Sequence, residues 1–113
     1  MKVELGQRDF AWGDAIEITE LWATSAKLAV GDEVIVRGRY RLQSQEQAML
    51  ALFVTASGPG GSGRVSPTQR QAVERGTGEF DLSCEIRAAG KLHLSFYPTR
   101  SGSSFGGVYF SAR

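Results

Sequence analysis

The sequence predicts an all-β domain, an antiparallel β-sandwich of about seven strands. Two observations carry that expectation. Apolar and polar residues alternate with period two over several separate segments, as half-buried strands require. Turn signals recur roughly every 8 to 14 residues, the rhythm of a sheet protein built from short strands.

The elements follow in order. Residues 1–13 read as an extra edge strand or a tail. Ile16 and Ile18 alternate with Glu17, and Leu21-Trp22 come back into phase after a bulge. Gly31-Asp32 marks a turn. From Glu33 to Gln43 one side carries Val34, Val36, Gly38, Tyr40 and Leu42, and the other carries Glu33, Ile35, Arg37, Arg39, Arg41 and Gln43. The polar link Ser44 to Gln47 has the length of a hairpin loop. Ala48 to Ala56 is apolar at nearly every position, which predicts a central strand covered on both faces, although Met, Leu and Ala also suit a helix. Ser57 to Gly63 is a Gly- and Ser-rich connector. Ser66-Pro67 with Gln69 resembles a helix start, but Ala72 and Val73 are too few apolar residues to anchor one. An edge strand from Gln69 to Arg75 is favoured over a single helical turn. Phe80, Leu82, Cys84 and Ile86 form the next apolar stripe. Leu92, Leu94 and Phe96 form another, so the two read as a second hairpin across Ala88-Ala89-Gly90, stopped by Pro98. The last strand spans Phe105 to Ala112, where Gly106-Gly107 signals a bulge or the close approach of another backbone.

At 113 residues and 42% hydrophobic content the chain suits one domain, residues 1–113. A formal charge of +1 supplies no global field for nucleic acid or acidic membranes. The single cysteine, Cys84, excludes an internal disulfide and a cysteine-rich zinc site. No run approaches about 18 apolar residues, so no membrane span is expected, and the first residues lack the apolar core of a secretory leader. As written the chain reads as cytoplasmic, or as extracytoplasmic if cut from a secreted or anchored parent.

Three stretches carry a wider resemblance: Gly31-Asp32-Glu33-Val34 leading into a long strand, Gly76-Thr77-Gly78-Glu79-Phe80 opening another, and Leu92-His93-Leu94-Ser95-Phe96-Tyr97. From about residue 14 to 112 the layout resembles the immunoglobulin-like and fibronectin type III-like modules. The paired disulfide and packed tryptophan of antibody domains are missing. The resemblance implies a fold and no specific activity. Many bacterial modules of that shape serve as spacers or binding domains in larger proteins.

No catalytic machinery is expected. His93, the lone histidine, shares a phase with Ser95 but reads as an exposed residue on a sheet. Cys84 falls on the apolar phase and reads as a structural thiol. Glu17, Glu20, Glu79, Asp81 and Glu85 sit on wet faces, outside any desolvated cleft. Asp9 with Asp14, or Asp81 with nearby carbonyls, matches no calcium-loop spacing. Gly58 to Gly63 lacks the Lys-Ser/Thr and the helix of a phosphate loop. No cofactor and no metal is implied.

Two surfaces remain as candidates. Arg37, Arg39 and Arg41 lie about 7 Å apart on one strand face and could contact a polyanion. The competing and favoured reading is neutralisation across strands by Glu79, Asp81 and Glu85. Tyr97, Tyr109 and His93, with Trp12, are candidate ligand-stacking residues, with core or rim packing as their commoner fate. The expected function is therefore a non-catalytic interaction or structural module, part of a larger protein or assembly. The alternative is a carbohydrate-binding module with an exposed aromatic sheet face. The expected partners are a protein or a glycan, with nucleic acid disfavoured.

Overall fold

The computed structural model describes residues 3–25, 28–56, 64–87, 90–100 and 102–112. They form six strands: β1 (Val3–Phe10), β2 (Ala15–Ala23), β3 (Glu33–Ala56), β4 (Arg64–Glu85), β5 (Gly90–Tyr97) and β6 (Gly106–Ala112). Every pairing is antiparallel. Along one side the order is β1-β6-β5-β3-β2, and β4 lies on the other side of β3.

Two strands are far longer than the usual five or six residues, with 24 in β3 and 22 in β4. Each works in two halves. Residues 33–42 of β3 pair with β2 and with the far half of β4. Residues 47–56 pair with β5 and the near half of β4. Pairing breaks between Leu42 and Gln47 on β3, opposite Gly76 and Glu74 on β4. Gly76 sits at this break with φ +119°, a conformation open to glycine and strained for other residues. The sheet bends there into a narrow wing (β2, first half of β3, second half of β4) and a wide wing (the other halves, β5, β6 and β1). It closes nearly into a barrel.

The alternation read from the sequence points one face of each wing inward. Val34, Val36, Leu42, Phe80 and Leu82 from the narrow wing meet Leu50, Leu52, Val73, Leu92, Leu94, Phe96, Val108 and Phe110 from the wide one in a single core cluster. Each such side chain contributes about 1.5–3 kcal/mol on burial. Surface ion pairs contribute about 0–1 kcal/mol, so the core supplies the stability and the charged faces mainly fix register. Cys84 is buried in this core.

The expected edge strand before residue 13 is β1, paired with β6. The bulge expected before Leu21-Trp22 lies between Ile18 and Glu20. The strand expected at Gln69 to Arg75 is there, as part of the longer β4, so the helical alternative falls. The connector 57–63 lies outside the described residues.

Two expected hairpins are corrected. Ser44 to Gln47 does not reverse the chain, because β3 continues through it. Those four residues include none of the Gly, Pro, Asn or Asp that tight reversals use. Instead the buried Asp14 holds them: its Oδ1 accepts the Gln43 and Ser44 N–H groups at 2.7 and 3.0 Å, and its Oδ2 accepts the Ser44 hydroxyl at 2.5 Å. The second hairpin fails because β4 stays with β3 to its end. Ile86 N–H donates to the Asp32 carbonyl at 2.8 Å and the Ile86 carbonyl accepts from Gly31 at 2.7 Å. β5 then crosses to the wide wing and pairs with β3 and β6. The antiparallel sheet of about seven strands is carried on six continuous segments, of which β3 and β4 each serve in both wings.

The free edges are blunted. β1 and β2 each carry a register shift, between Leu5 and Arg8 and between Ile18 and Glu20. On β4, Gln71 Nε2 donates to the Glu79 carbonyl at 3.0 Å and the Gln69 side-chain oxygen accepts the Ser83 N–H.

Removing the Asp14 carboxylate leaves the Gln43 and Ser44 N–H groups without their partner. Asp14→Ala is expected to lower stability by about 3 kcal/mol, and Asp14→Asn by less, in denaturant titrations. Equal stability of all three proteins would contradict the clamp.

Candidate functional site

The outer face of the wide wing collects aromatic rings. β3, β5 and β6 are consecutive strands, and register sets Phe53 beside His93 and His93 beside Tyr109. The imidazole of His93 lies flat against Tyr109, with ring centroids 4.0 Å apart and planes 7° apart. Phe53 meets His93 edge-on at 4.9 Å, and Tyr97 leans on Phe53 at 6.1 Å. Phe53 is almost fully buried, and the other three are half-buried.

Glycine makes this packing possible. A Cβ on Gly107 would lie 2.8 Å from both His93 Nε2 and Ser95 Oγ and 2.5 Å from the Leu94 carbonyl oxygen. The bare backbone lets His93 and Ser95 lean over β6. Beside the stack is a depression of about 370 Å³ lined by Asp9, His93, Ser104, Phe105, Gly106, Gly107 and Tyr109.

His93 is thus less exposed than the sequence suggests, because rings on two neighbouring strands enclose it. Burial pushes its pKa down to about 4, so the imidazole is neutral at pH 7. Ser95 shares the face yet is fully buried. Its hydroxyl donates to the Gly106 carbonyl at 2.9 Å and contacts the Ser104 hydroxyl. Cys84 is held as a neutral thiol, its pKa pushed up to about 11 by burial.

Trp12 stands apart on the β1–β2 turn with its side chain 94% exposed. The structure therefore brings together three of the four aromatic candidates. Phe53 and Ser104 were missed, and Asp9 was considered only for calcium. Phe53 lay in a run read as uniformly apolar, where period two gives no facing. Asp9 and Ser104 belong to segments whose place depends on long-range pairing.

The arginine row lies on the narrow wing between two acidic strands. Arg37 bonds Asp81 at 3.0 Å on one side and Glu20 at 3.4 Å on the other. These partners raise its pKa, first through the hydrogen bond to Asp81. Arg39 meets Glu17 at 3.2 Å and stands directly across from Glu79. Arg41 is flanked by Ala15 and Thr77 and donates its Nε–H to the Gly13 carbonyl at 2.7 Å. Glu85 is engaged by Arg87 at 2.9 Å. Among the described residues no group of three or more potential metal ligands gathers, and no helix is long and apolar enough to cross a membrane.

No protein-family model, curated protein or solved structure matches the chain.

Two outcomes follow. The folded protein keeps His93 neutral to about pH 4 while the unfolded chain takes up a proton near pH 6.5. His93 should therefore add stability above pH 6.5 that is lost as pH falls from 6.5 toward 4. His93→Gln should flatten that part of a melting-temperature profile. The compensation of Arg37 and Arg39 predicts no retention on a heparin column at about 0.15 M salt. Retention that is lost in Arg37→Gln or Arg39→Gln would reverse this.

Proposed function

We propose that the chain is a non-catalytic binding module of a larger protein or assembly, and that it holds a carbohydrate on the aromatic face of the wide wing. One observation carries this reading. The stacked rings of His93 and Tyr109, with Phe53 packed behind His93, border a depression lined also by Gly106, Gly107, Asp9 and Ser104. Sugar rings offer apolar C–H faces to aromatic side chains and hydroxyl groups to carboxylate, hydroxyl and neutral imidazole partners. A face with both kinds of group side by side suits that ligand.

The chemistry of the same residues supports binding without catalysis. A nucleophile needs a base within hydrogen-bond reach. The Ser95 hydroxyl is tied to Gly106, and no described carboxylate lies within ion-pair distance of His93. The two wings, packed face to face over one core, support reading the fold as a sandwich-type module. The two shared strands are a departure from an immunoglobulin-like domain of seven separate strands.

Calorimetric titration with a panel of neutral oligosaccharides is the test. At least one should bind saturably, and Tyr109→Ala and Tyr97→Ala should each weaken it about tenfold. A silent panel, or tyrosine variants that bind as well as the original, would sink the proposal.

A further inference from the structure

The narrow wing repeats one motif, and the motif stops one step short. At the level of Arg37 the three strands carry Glu20, Arg37 and Asp81. At the level of Arg39 they carry Glu17, Arg39 and Glu79. Each arginine is served by carboxylates borne on neighbouring strands. At the level of Arg41 the flanking residues are Ala15 and Thr77, and no described carboxylate lies within ion-pair distance of its guanidinium.

Small neighbours leave space there. A depression of about 470 Å³ is lined by Ala15, Glu17, Arg39, Tyr40, Arg41, Thr77, Gly78 and Glu79. Arg41 is fixed within it, because its Nε–H is held by the Gly13 carbonyl. Its two terminal nitrogens remain to receive a planar acceptor, and the Thr77 hydroxyl lies across the strand pair. Gly13 belongs to a turn closed by the Asp14 N–H on the Ala11 carbonyl at 3.0 Å and anchored by the Asp14 carboxylate on β3. That turn carries Trp12, whose exposed ring is the immediate chain neighbour of the residue holding Arg41. An exposed tryptophan next to an arginine with no described carboxylate partner combines two residue types on which protein interfaces concentrate their binding energy.

We propose that this end of the narrow wing docks an acidic segment of a partner protein, which places one Asp or Glu carboxylate on Arg41 and Thr77 and an apolar side chain on Trp12. The chain indicates the occupant by its own example, since the same position on the two preceding levels is filled by a carboxylate on a strand. Glu17 and Glu79 border the site, and Arg39 stands between them. Their charge favours a single incoming carboxylate over a string of negative groups, which agrees with the expected indifference to heparin.

The test uses the Trp22→Phe protein, so that Trp12 is the only tryptophan reporter. It is titrated with three probes: an acetylated, amidated peptide Val-Gln-Val-Glu-Val-Gln-Val, the matching peptide with Gln in place of its one Glu, and trigalacturonate. The Glu peptide should shift Trp12 emission saturably, and the Gln peptide should bind at least about tenfold more weakly. Arg41→Gln should lose at least about tenfold in affinity. Thr77→Glu fills the vacant position from within and should block the Glu peptide equally while melting no lower than the parent, which separates occupancy of the site from damage to the fold. Equal binding of the two peptides, full binding by Arg41→Gln or Thr77→Glu, or tighter binding of trigalacturonate than of the Glu peptide would overturn the proposal.

Discussion

The bend in β3 is the constraint on which the rest of the molecule depends, and the Asp14 carboxylate holds it. A strand of 24 residues would otherwise twist on as a ribbon with one face always wet. Two successive backbone N–H groups and one hydroxyl, all from residues 43–44, meet at this carboxylate from the preceding turn. The pairing partner on that side of β3 changes from β2 to β5 at this point. The fold of β4 at Gly76 lies opposite, so both long strands turn together. Two inward faces can then share one core.

The outward faces are specialised differently, and burial explains the division. On the wide wing Ala51 and Phe53 of β3 are buried on its outer face as well as the core residues on its inner one. Aromatic rings suit that semi-dry surface. The narrow wing has only three strands, so its outer face stays in water. Long charged side chains suit it, and alternating signs across the strands align the pairing without contributing much stability. The levels of Arg37 and Arg39 each carry an acid–base match, which opposes a slip of one residue.

Much of this was legible in the residues, and the failures share one cause. Period two correctly gave Val34, Val36 and Leu42 an inward phase and Arg37, Arg39 and Arg41 an outward one, and it placed Cys84 inside. The bulge near Thr19 was visible because the apolar phase slips there. Neither missed feature is local. Whether Ser44 to Gln47 bends or reverses depends on Asp14, about 30 positions earlier. Whether β5 follows β4 or crosses over depends on Ile86 remaining bound to Gly31 and Asp32. For the aromatic site, Tyr97, Tyr109 and His93 were recognisable as residue types, but their stacking is a consequence of β5–β6 register and of a missing side chain at Gly107. Trp12 was named for its chemistry and proved to belong elsewhere.

The shared strands also govern how the molecule comes apart. Because β3 and β4 each supply half of both wings, neither wing owns a complete set of chain segments. Fraying of one withdraws hydrogen-bonding partners from the other along the same continuous backbone. Loss of structure is thus expected to be a single cooperative event, with no half-molecule persisting as a native-like remnant. In a larger assembly, pulling force applied to the two ends would meet one mechanical unit.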